Sequence, residues 1–293
     1  MRILITGSTG FVGKAVIKKH THDHSDNQVF LLSSRENHEY NTYKYKKIDE
    51  KYHWIIPDNF DTIVHIGAWT PKSTNEAQNI DNGFDNILFT KSLIQTQKHL
   101  KRIVYISTID VYAATSETIS ETSLIKPISI YGYSKLFCEE MVSAWAKQNN
   151  VECCILRLGH IYGVGEAAYK KLIPILIQQA IANNPINIFS TGNELRSFLN
   201  INDCADVIWQ ATIGHMQGLY NVVSEHSVRV KEIAQIIKRL AGSKSEIIIQ
   251  NRPIETRDCI FDNSHLKSAF KIQEKKLEQG IKEEIEYFKG LSE

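Results

Sequence analysis

A phenol and an amine four residues apart on a helix share one face and can act as an acid–base unit. Tyr131 and Lys135 offer such a pair, within Tyr131-Gly132-Tyr133-Ser134-Lys135. A phenol with a pKa of about 10 is a poor proton donor at neutral pH, but a neighbouring ammonium stabilises its anion and lowers that value. The spacing alone does not select the pair, because it recurs at Tyr40 and Lys44 and at Tyr43 and Lys47. Context does. Tyr131 opens a predicted helix just after a predicted strand that ends in Ser107 and Thr108, whereas Tyr40 and Tyr43 fall in a polar stretch read as a loop. Ligands of open parallel sheets bind at the carboxyl ends of the strands. Thr108 can there present a hydroxyl to the same carbonyl oxygen that Tyr131 would protonate.

A second group of residues suits phosphate. Gly7, Gly10 and Gly13 are spaced G-x-x-G-x-x-G in Thr6-Gly7-Ser8-Thr9-Gly10-Phe11-Val12-Gly13, directly after a predicted strand and opening a predicted helix. A tight turn, close approach of a pyrophosphate to the backbone, and tight helix–sheet packing each require a residue without a side chain, and the helix N-terminus adds free N–H groups. A dinucleotide is the expected ligand. Its type depends on the end of the second strand, where an acid would hold the ribose 2′-hydroxyl of NAD. Here the strand runs into Ser34 and Arg35, with no acid before Glu36, which points to the 2′-phosphate of NADP while leaving NAD possible. The alternative is that Arg35 is a surface loop residue.

Positioning these groups requires strands that alternate with crossover helices. Apolar runs at 2–6, 28–33, 62–66, 102–107 and 153–158 predict strands, and helical spacing at 11–20, 76–99 and 130–149 predicts helices between them. That is an α/β fold, a doubly wound parallel sheet of the Rossmann type. Beyond Gly163, helices at 167–183, 203–214 and 231–241 and short strands at 186–189, 219–223 and 246–249 predict a smaller mixed α/β C-terminal substrate domain, closed by a helix at 277–288. The expected division is a dinucleotide-binding domain over 1–160 and a substrate-binding domain over 161–293, with part of 193–223 returning to the first. The length of 293 residues fits roughly two domains.

Composition narrows the class. Thirty-four Lys and Arg against 33 Asp and Glu leave a net charge of +1, without the basic excess of a nucleic-acid binder. No apolar run approaches the roughly 18 residues of a membrane span. Five cysteines, odd in number and without a C-x-x-C pair, read as small core residues of a cytoplasmic protein. His20, His22 and His24 resemble a metal cluster but lack an acid or cysteine partner at ligand spacing, and read as a solvated loop; no metal is expected.

The glycine loop, Thr108-x-x-Val111-Tyr112, Tyr131-x-x-x-Lys135 and Arg157-Leu158-Gly159-His160-Ile161-Tyr162-Gly163 together resemble the extended short-chain dehydrogenase/reductases of the NAD-dependent epimerase/dehydratase family, over essentially the whole chain. His65-Ile66-Gly67-Ala68 is similar to the family's cofactor-contacting segment, and Ile48-Asp49 to its adenine-side acid. Arg196-Ser197-Phe198 and Arg252-Pro253 are similar to its two arginine sites. The resemblance implies a catalytic triad of Thr108, Tyr131 and Lys135. It implies cofactor contacts from Gly7, Thr9, Gly10, Phe11, Val12, Gly13, Ser34, Arg35, Asp49, Gly67, Ala68 and Lys135. It also implies a nucleotide-diphosphate sugar gripped by Arg196 and Arg252, and a homodimer built on the helices after two central strands. Each arginine could instead pair with a local acid, Glu194 or Glu255.

Two departures matter. The family's dehydratases carry Asp and Glu after the triad Thr, whereas this chain has Ile109 and Asp110, which disfavours dehydration. His160 replaces the usual Asn and could contact substrate or be a packed strand-end histidine; Ser197 replaces the usual Asp. The expected activity is NADPH-dependent reduction of a nucleotide-diphosphate 4-keto-6-deoxy sugar at C4, in surface-polysaccharide precursor synthesis. A nucleotide-sugar 4-epimerase is the alternative, followed by a non-catalytic NADP-binding regulator.

Overall fold

The computed structural model describes residues 1–22, 26–73, 75–250 and 258–291. In chain order the elements are β1 (Arg2–Thr6), α1 (Phe11–Thr21), β2 (Gln28–Ser33), β3 (Asn41–Ile48), β4 (Lys51–Trp54), β5 (Thr62–His65), α2 (Ile80–Gln95), β6 (Arg102–Thr108), α3 (Ile130–Asn149) and β7 (Glu152–Leu158). They continue with β8 (His160–Tyr162), α4 (Leu172–Ile181), β9 (Ile186–Ile188), β10 (Leu195–Asn200), α5 (Ile201–Ile213), β11 (Gly218–Val222), β12 (Ser227–Arg229), α6 (Val230–Ala241), β13 (Ile247–Ile249), α7 (Ser264–Ala269) and α8 (Leu277–Gly290).

The chain gathers into two compact units. The first comprises Met1–Ala113, Leu124–Leu158 and Ala205–Asn221. Its eight-stranded sheet has the order β11-β7-β6-β5-β1-β2-β3-β4, parallel from β7 through β3. Strands β1, β5 and β6 are almost wholly buried and read as unbroken apolar runs, as expected of a sheet covered on both faces. The second unit comprises Ala114–Ser123, Gly159–Cys204 and Val222–Glu293. It holds the three-stranded sheet β12-β10-β8 and the two-stranded sheet β13-β9. Its core joins Ile173, Ile177, Ile233, Ile237, Ile281 and Ile285 from α4, α6 and α8. The first unit takes in Ala205–Asn221, within the 193–223 stretch expected to return to it, and gives up Ala114–Ser123 to the second. Ala114–Ser123 joins the second through the Ile119–Phe261 bridge, and Ala205–Asn221 joins the first because β11 lies beside β7.

The stretch around Tyr40 and Tyr43, expected to be a loop, is largely strand β3, paired with β2 and with β4. Its lysines disguise a period of two: Tyr43 and Tyr45 turn inward against the core while Lys44 and Lys46 face solvent. The helix expected at 76–99 is split into a 3₁₀ turn at Glu76–Gln78 and α2, because the Asn79 side chain caps the Asn82 N–H at 2.9 Å. His20 also departs from expectation. It sits in the last turn of α1 and packs against Tyr40 and Trp209, with its Nε2 3.1 Å from the Asn27 carbonyl. His24 lies outside the described residues. The five cysteines are free thiols, four of them buried. Among the described residues no helix is long and apolar enough to cross a membrane.

The second unit holds a buried acid that its fold leaves uncompensated. Glu284 on α8 is fully buried, and neither carboxyl oxygen has a hydrogen-bond partner among the described residues. Burial, reinforced by Glu166, pushes its pKa up to about 8. Burial raises Glu166 to about 7, although Lys171 Nζ lies 3.4 Å from it. A carboxyl with a raised folded pKa keeps a proton that the unfolded chain has released. Glu284 therefore subtracts stability progressively as pH rises from the ordinary 4.5 to about 8. Glu284→Gln should raise the urea midpoint more at pH 8 than at pH 5, and equal gains at both pH values would contradict this account.

Candidate active site

Strand order reverses at β1, which pairs with β2 on one side and β5 on the other, so the crevice beyond their carboxyl ends is the expected ligand site of such a sheet. Gly7 leaves β1 with φ 73°, and a Cβ there would lie 2.6 Å from the Gly67 backbone nitrogen, so two chains cross backbone to backbone at the reversal. At Gly13 a Cβ would lie 2.1 Å from the Gly7 carbonyl oxygen, which requires glycine for helix–loop packing. Gly10 is different. A Cβ there meets only the Gly7 oxygen, at an ordinary 3.4 Å, so packing does not demand glycine. Gly10 is also the N-cap of α1, with no side-chain cap bond and no acid in the first turn. What remains is a cradle that a side chain would fill, at the positive end of a helix, and this fits a dinucleotide pyrophosphate. Gly7, Gly10 and Gly13 would hold it, with the exposed Thr9 and the half-buried Phe11 and Val12 alongside.

Ser34 and Arg35 are exposed just beyond β2, and Ser33 Oγ accepts the Arg35 N–H at 3.1 Å. The first acid, Glu36, is bound by Lys44 at 2.6 Å, which lowers its pKa. Asp49 occupies the exposed turn between β3 and β4, with φ 48°. It stands five residues past Lys44, the partner of Ser33, which at about 3.3 Å per residue carries it roughly 16 Å beyond the end of β2. The register thus does not bring Asp49 beside Ser34 and Arg35.

Below the crevice runs a chain of hydrogen bonds whose direction is fixed. Thr90 Oγ1 donates its one hydrogen to the Asn86 carbonyl (2.8 Å), so it must accept from His65 Nε2 (2.9 Å). His65 Nδ1 then accepts from Thr6 Oγ1 (2.8 Å), which itself accepts the Gly67 N–H (2.8 Å). His65 is therefore neutral with its proton on Nε2. Burial, with Lys135 nearby, lowers its pKa to about 3. Gly67 is held at the crevice by this chain, and the half-buried Ala68 follows it.

Thr108 ends β6, and its Oγ1 accepts the Asp110 N–H at 3.2 Å. Helix α3 begins with Ser129, whose Oγ caps the Gly132 N–H at 3.0 Å. A Cβ at Gly132 would come 2.6 Å from the Asp110 carbonyl, so the first turn of α3 rests directly on the turn that follows Thr108. That contact brings Tyr131 and Lys135 to the end of β6. Lys135 is only 3% exposed, and its Nζ lies 4.3 Å from the centre of the Tyr105 ring. Burial lowers its pKa to about 8, so the ammonium persists at neutral pH.

The same helix is anchored by a residue that spacing alone did not single out. Glu139, one turn beyond Lys135, is buried against Arg157 of β7, with Arg157 Nη2 2.6 Å and Nε 3.0 Å from its two oxygens. Ser107 Oγ also donates to Glu139. Arg157 Nη1 donates to the Tyr112 hydroxyl (2.8 Å), which donates to Asn221 (2.7 Å). An acid at the buried position four after Lys135 was the available signal. Asn86 was also missed; the cue was its polar character on a helix face otherwise carrying Phe89 and Leu93.

In the second unit, His160 opens β8 with its ring 5.6 Å from that of Phe198, its partner across β10. Arg196 is half-buried on β10 and donates to the Leu195 carbonyl at 2.9 Å, while Glu194 is bound by Ser190. Arg252 lies outside the described residues.

A doubly wound sheet with a glycine cradle at its reversal and a Thr, Tyr and Lys at the end of β6 defines an extended short-chain dehydrogenase/reductase. A family model, "NAD dependent epimerase/dehydratase family", matches residues 3–223, and the chain belongs to that family. It is 26% identical to a trifunctional UDP-glucose 4,6-dehydratase/UDP-4-keto-6-deoxy-D-glucose 3,5-epimerase/UDP-4-keto-L-rhamnose-reductase of Arabidopsis thaliana, over 98% of this chain and 47% of the relative. The chain thus spans about half the length of that relative. It is 28% identical to dTDP-4-dehydro-6-deoxyglucose reductase of Escherichia coli, over 87% of this chain and 86% of the relative. Among solved structures, UDP-glucose 4-epimerase of Thermotoga maritima with UDP-glucose matches with a TM-score of 0.87 at 20% identity, covering 100% of both chains. UDP-glucuronic acid 4-epimerase of Bacillus cereus, in complex with UDP-glucuronic acid and NAD, matches with a TM-score of 0.84 at 23% identity, covering 99% of this chain and 100% of that one.

Removing one partner of a buried ion pair strands the other charge. Arg157→Met should therefore cost about 3–5 kcal/mol in urea unfolding, whereas Arg157→Met with Glu139→Gln should recover part of the loss. A single variant as stable as the parent would show that the pair does not hold α3.

Proposed function

We propose that the protein reduces a nucleotide-diphosphate 4-keto-6-deoxy sugar at C4, with NADPH as the reductant, in the synthesis of a surface-polysaccharide precursor. The observation that carries the reading is the meeting of α3 with the end of β6, which supplies a phenol, an ammonium and a hydroxyl beside a cofactor cradle. The nicotinamide supplies the hydride when bound. Tyr131 delivers the proton to the C4 oxygen, Thr108 donates a hydrogen bond to that oxygen, and Lys135 stabilises the phenolate left on Tyr131. Lys135 can do so because its charge is desolvated and fixed over Tyr105. Gly67 and Ala68 line the cofactor side. Arg196 and Arg252 take the diphosphate, with His160 toward the sugar; a guanidinium fork suits phosphate oxygens.

Reduction is favoured over epimerisation by the end of β2. Glu36 is turned to Lys44, which leaves Arg35 as the charge available to a ribose phosphate, so NADP is the proposed cofactor. Dehydration is disfavoured because only Asp110 follows Thr108 as an acid. The five free thiols suit a reducing cytoplasm.

Incubation with UDP- and dTDP-linked 4-keto-6-deoxy sugars should consume NADPH faster than NADH. Tyr131→Phe should lose about 10²–10⁴-fold in rate with NADPH binding intact. A changed sugar without net cofactor loss would select the 4-epimerase instead, and tight NADPH binding without turnover would select a regulator.

We also propose a homodimer. Ile80 and Phe84 on α2 and Tyr133 and Phe137 on α3 are each more than half exposed, and each pair is four residues apart on one of two helices packed together. Together they make an apolar face suited to a two-fold copy of itself. Phe84→Asp combined with Phe137→Asp should sediment as a monomer where the parent sediments as a dimer; a monomeric parent would overturn the assignment.

A further inference from the structure

Trp69 lies outside every motif of the sequence and is nonetheless among the most deliberately fixed residues of the first unit. Its backbone N–H donates to Asn86 Oδ1 at 2.7 Å, and its carbonyl accepts from Asn86 Nδ2 at 3.1 Å. Asn86 is 4% exposed, so a buried amide is committed to one loop residue. The amide's surroundings lead to the catalytic helix. Asn86 Nδ2 also reaches Ser134 Oγ at 3.4 Å, and Ser134 Oγ donates to the Tyr131 carbonyl at 2.8 Å. The Trp69 ring stands at 75° to the Tyr131 ring with centroids 6.3 Å apart. The residue is only half-buried, and its ring lies beside that of the proposed proton donor.

A loop held at both backbone groups by a buried side chain has its backbone fixed before any ligand arrives, and the Tyr131 ring, 6.3 Å away, restricts where the indole can turn. Burying an amide is favourable only when its hydrogen bonds are made, and here they are made to Trp69. An indole offers a broad apolar face of the kind that the C–H side of a pyranose covers, and its N–H can donate to a sugar hydroxyl.

We propose that Trp69 is the platform on which the hexose of the nucleotide sugar stacks, and so a residue that determines which sugar ring is presented to Tyr131. The assignment rests on the nucleotide-sugar reading above. Pre-fixing the indole spares the ordering cost of binding, so its loss should appear in affinity for the sugar and not for the nucleotide.

Calorimetric titration of the whole protein, with NADP present, by UDP-glucose, dTDP-glucose, UDP and dTDP tests this. Trp69→Leu should weaken the favoured sugar nucleotide about tenfold and leave the matching nucleoside diphosphate unchanged, while Trp69→Phe should retain most of the affinity. Melting temperatures of both variants within a degree or two of the parent separate stacking from folding. If Trp69→Leu unfolds the protein, Trp69→Phe and Trp69→His provide the same contrast of aromatic rings of different face area. Unchanged sugar affinity in Trp69→Leu, or in Trp69→His where Trp69→Leu does not fold, overturns the platform and leaves the nucleotide-sugar reading standing. A parent protein that binds none of the four probes overturns both.

Discussion

The ion pair between Arg157 and Glu139 is the constraint on which the arrangement of the first unit depends. Both side chains are almost fully buried, so each charge exists there only because the other is within hydrogen-bond reach. The pair is then completed by neutral groups: the Ser107 hydroxyl on the acid, and on the base the Tyr112 hydroxyl, whose ring centre lies 4.8 Å from the guanidinium carbon. Pairs of this kind add little net stability over apolar packing of similar volume, but separating the partners leaves an uncompensated buried charge and is costly. What this one contributes is register. It ties α3 to β6 and β7 at one height, and Thr108 is the residue after Ser107 while Lys135 is one helical turn before Glu139.

Rigidity at that level has a counterpart in Lys135. Its ammonium is buried at a cost in solvation, offset partly by the Tyr105 ring and by the nearby Glu139. A cation so placed exerts a larger field on a neighbouring phenolate than an exposed lysine could. The helix cap at Ser129 and the missing side chain at Gly132 are the local features that let α3 start close enough to β6 for this to matter.

Much of this was legible in the residues. The glycine spacing, the apolar strands and the helix from Ile130 to Asn149 were read in place, because period and turn chemistry dominate there. Strand β3 was not, since its lysines alternate with tyrosines and mask an inward face that becomes visible only once Phe60 and Phe89 are brought beside it. The 3₁₀ break before α2 depends on one asparagine cap, which a periodic pattern does not register. Asn86 and Trp69 escaped for a different reason: their meaning lies in a contact 17 residues apart, between a loop and a helix face. Glu139 sat in view on the stripe of Tyr131 and Lys135, and its partner on β7 is what distinguishes a buried acid from a solvated one.

The hydrogen-bond chain from Gly67 through Thr6, His65 and Thr90 to Asn86 has an arrow. Each hydroxyl holds a single hydrogen, so reversing any one bond would leave two lone pairs or two hydrogens facing each other elsewhere along the line. The five side-chain and backbone dipoles are consequently locked in one sense. The crevice floor therefore carries a polarisation that persists as long as His65 stays neutral, which its pKa of about 3 ensures across the physiological range. Positions 6, 65 and 90 are therefore coupled, since a substitution at any one of them fits the other two only if it keeps the same direction of donation.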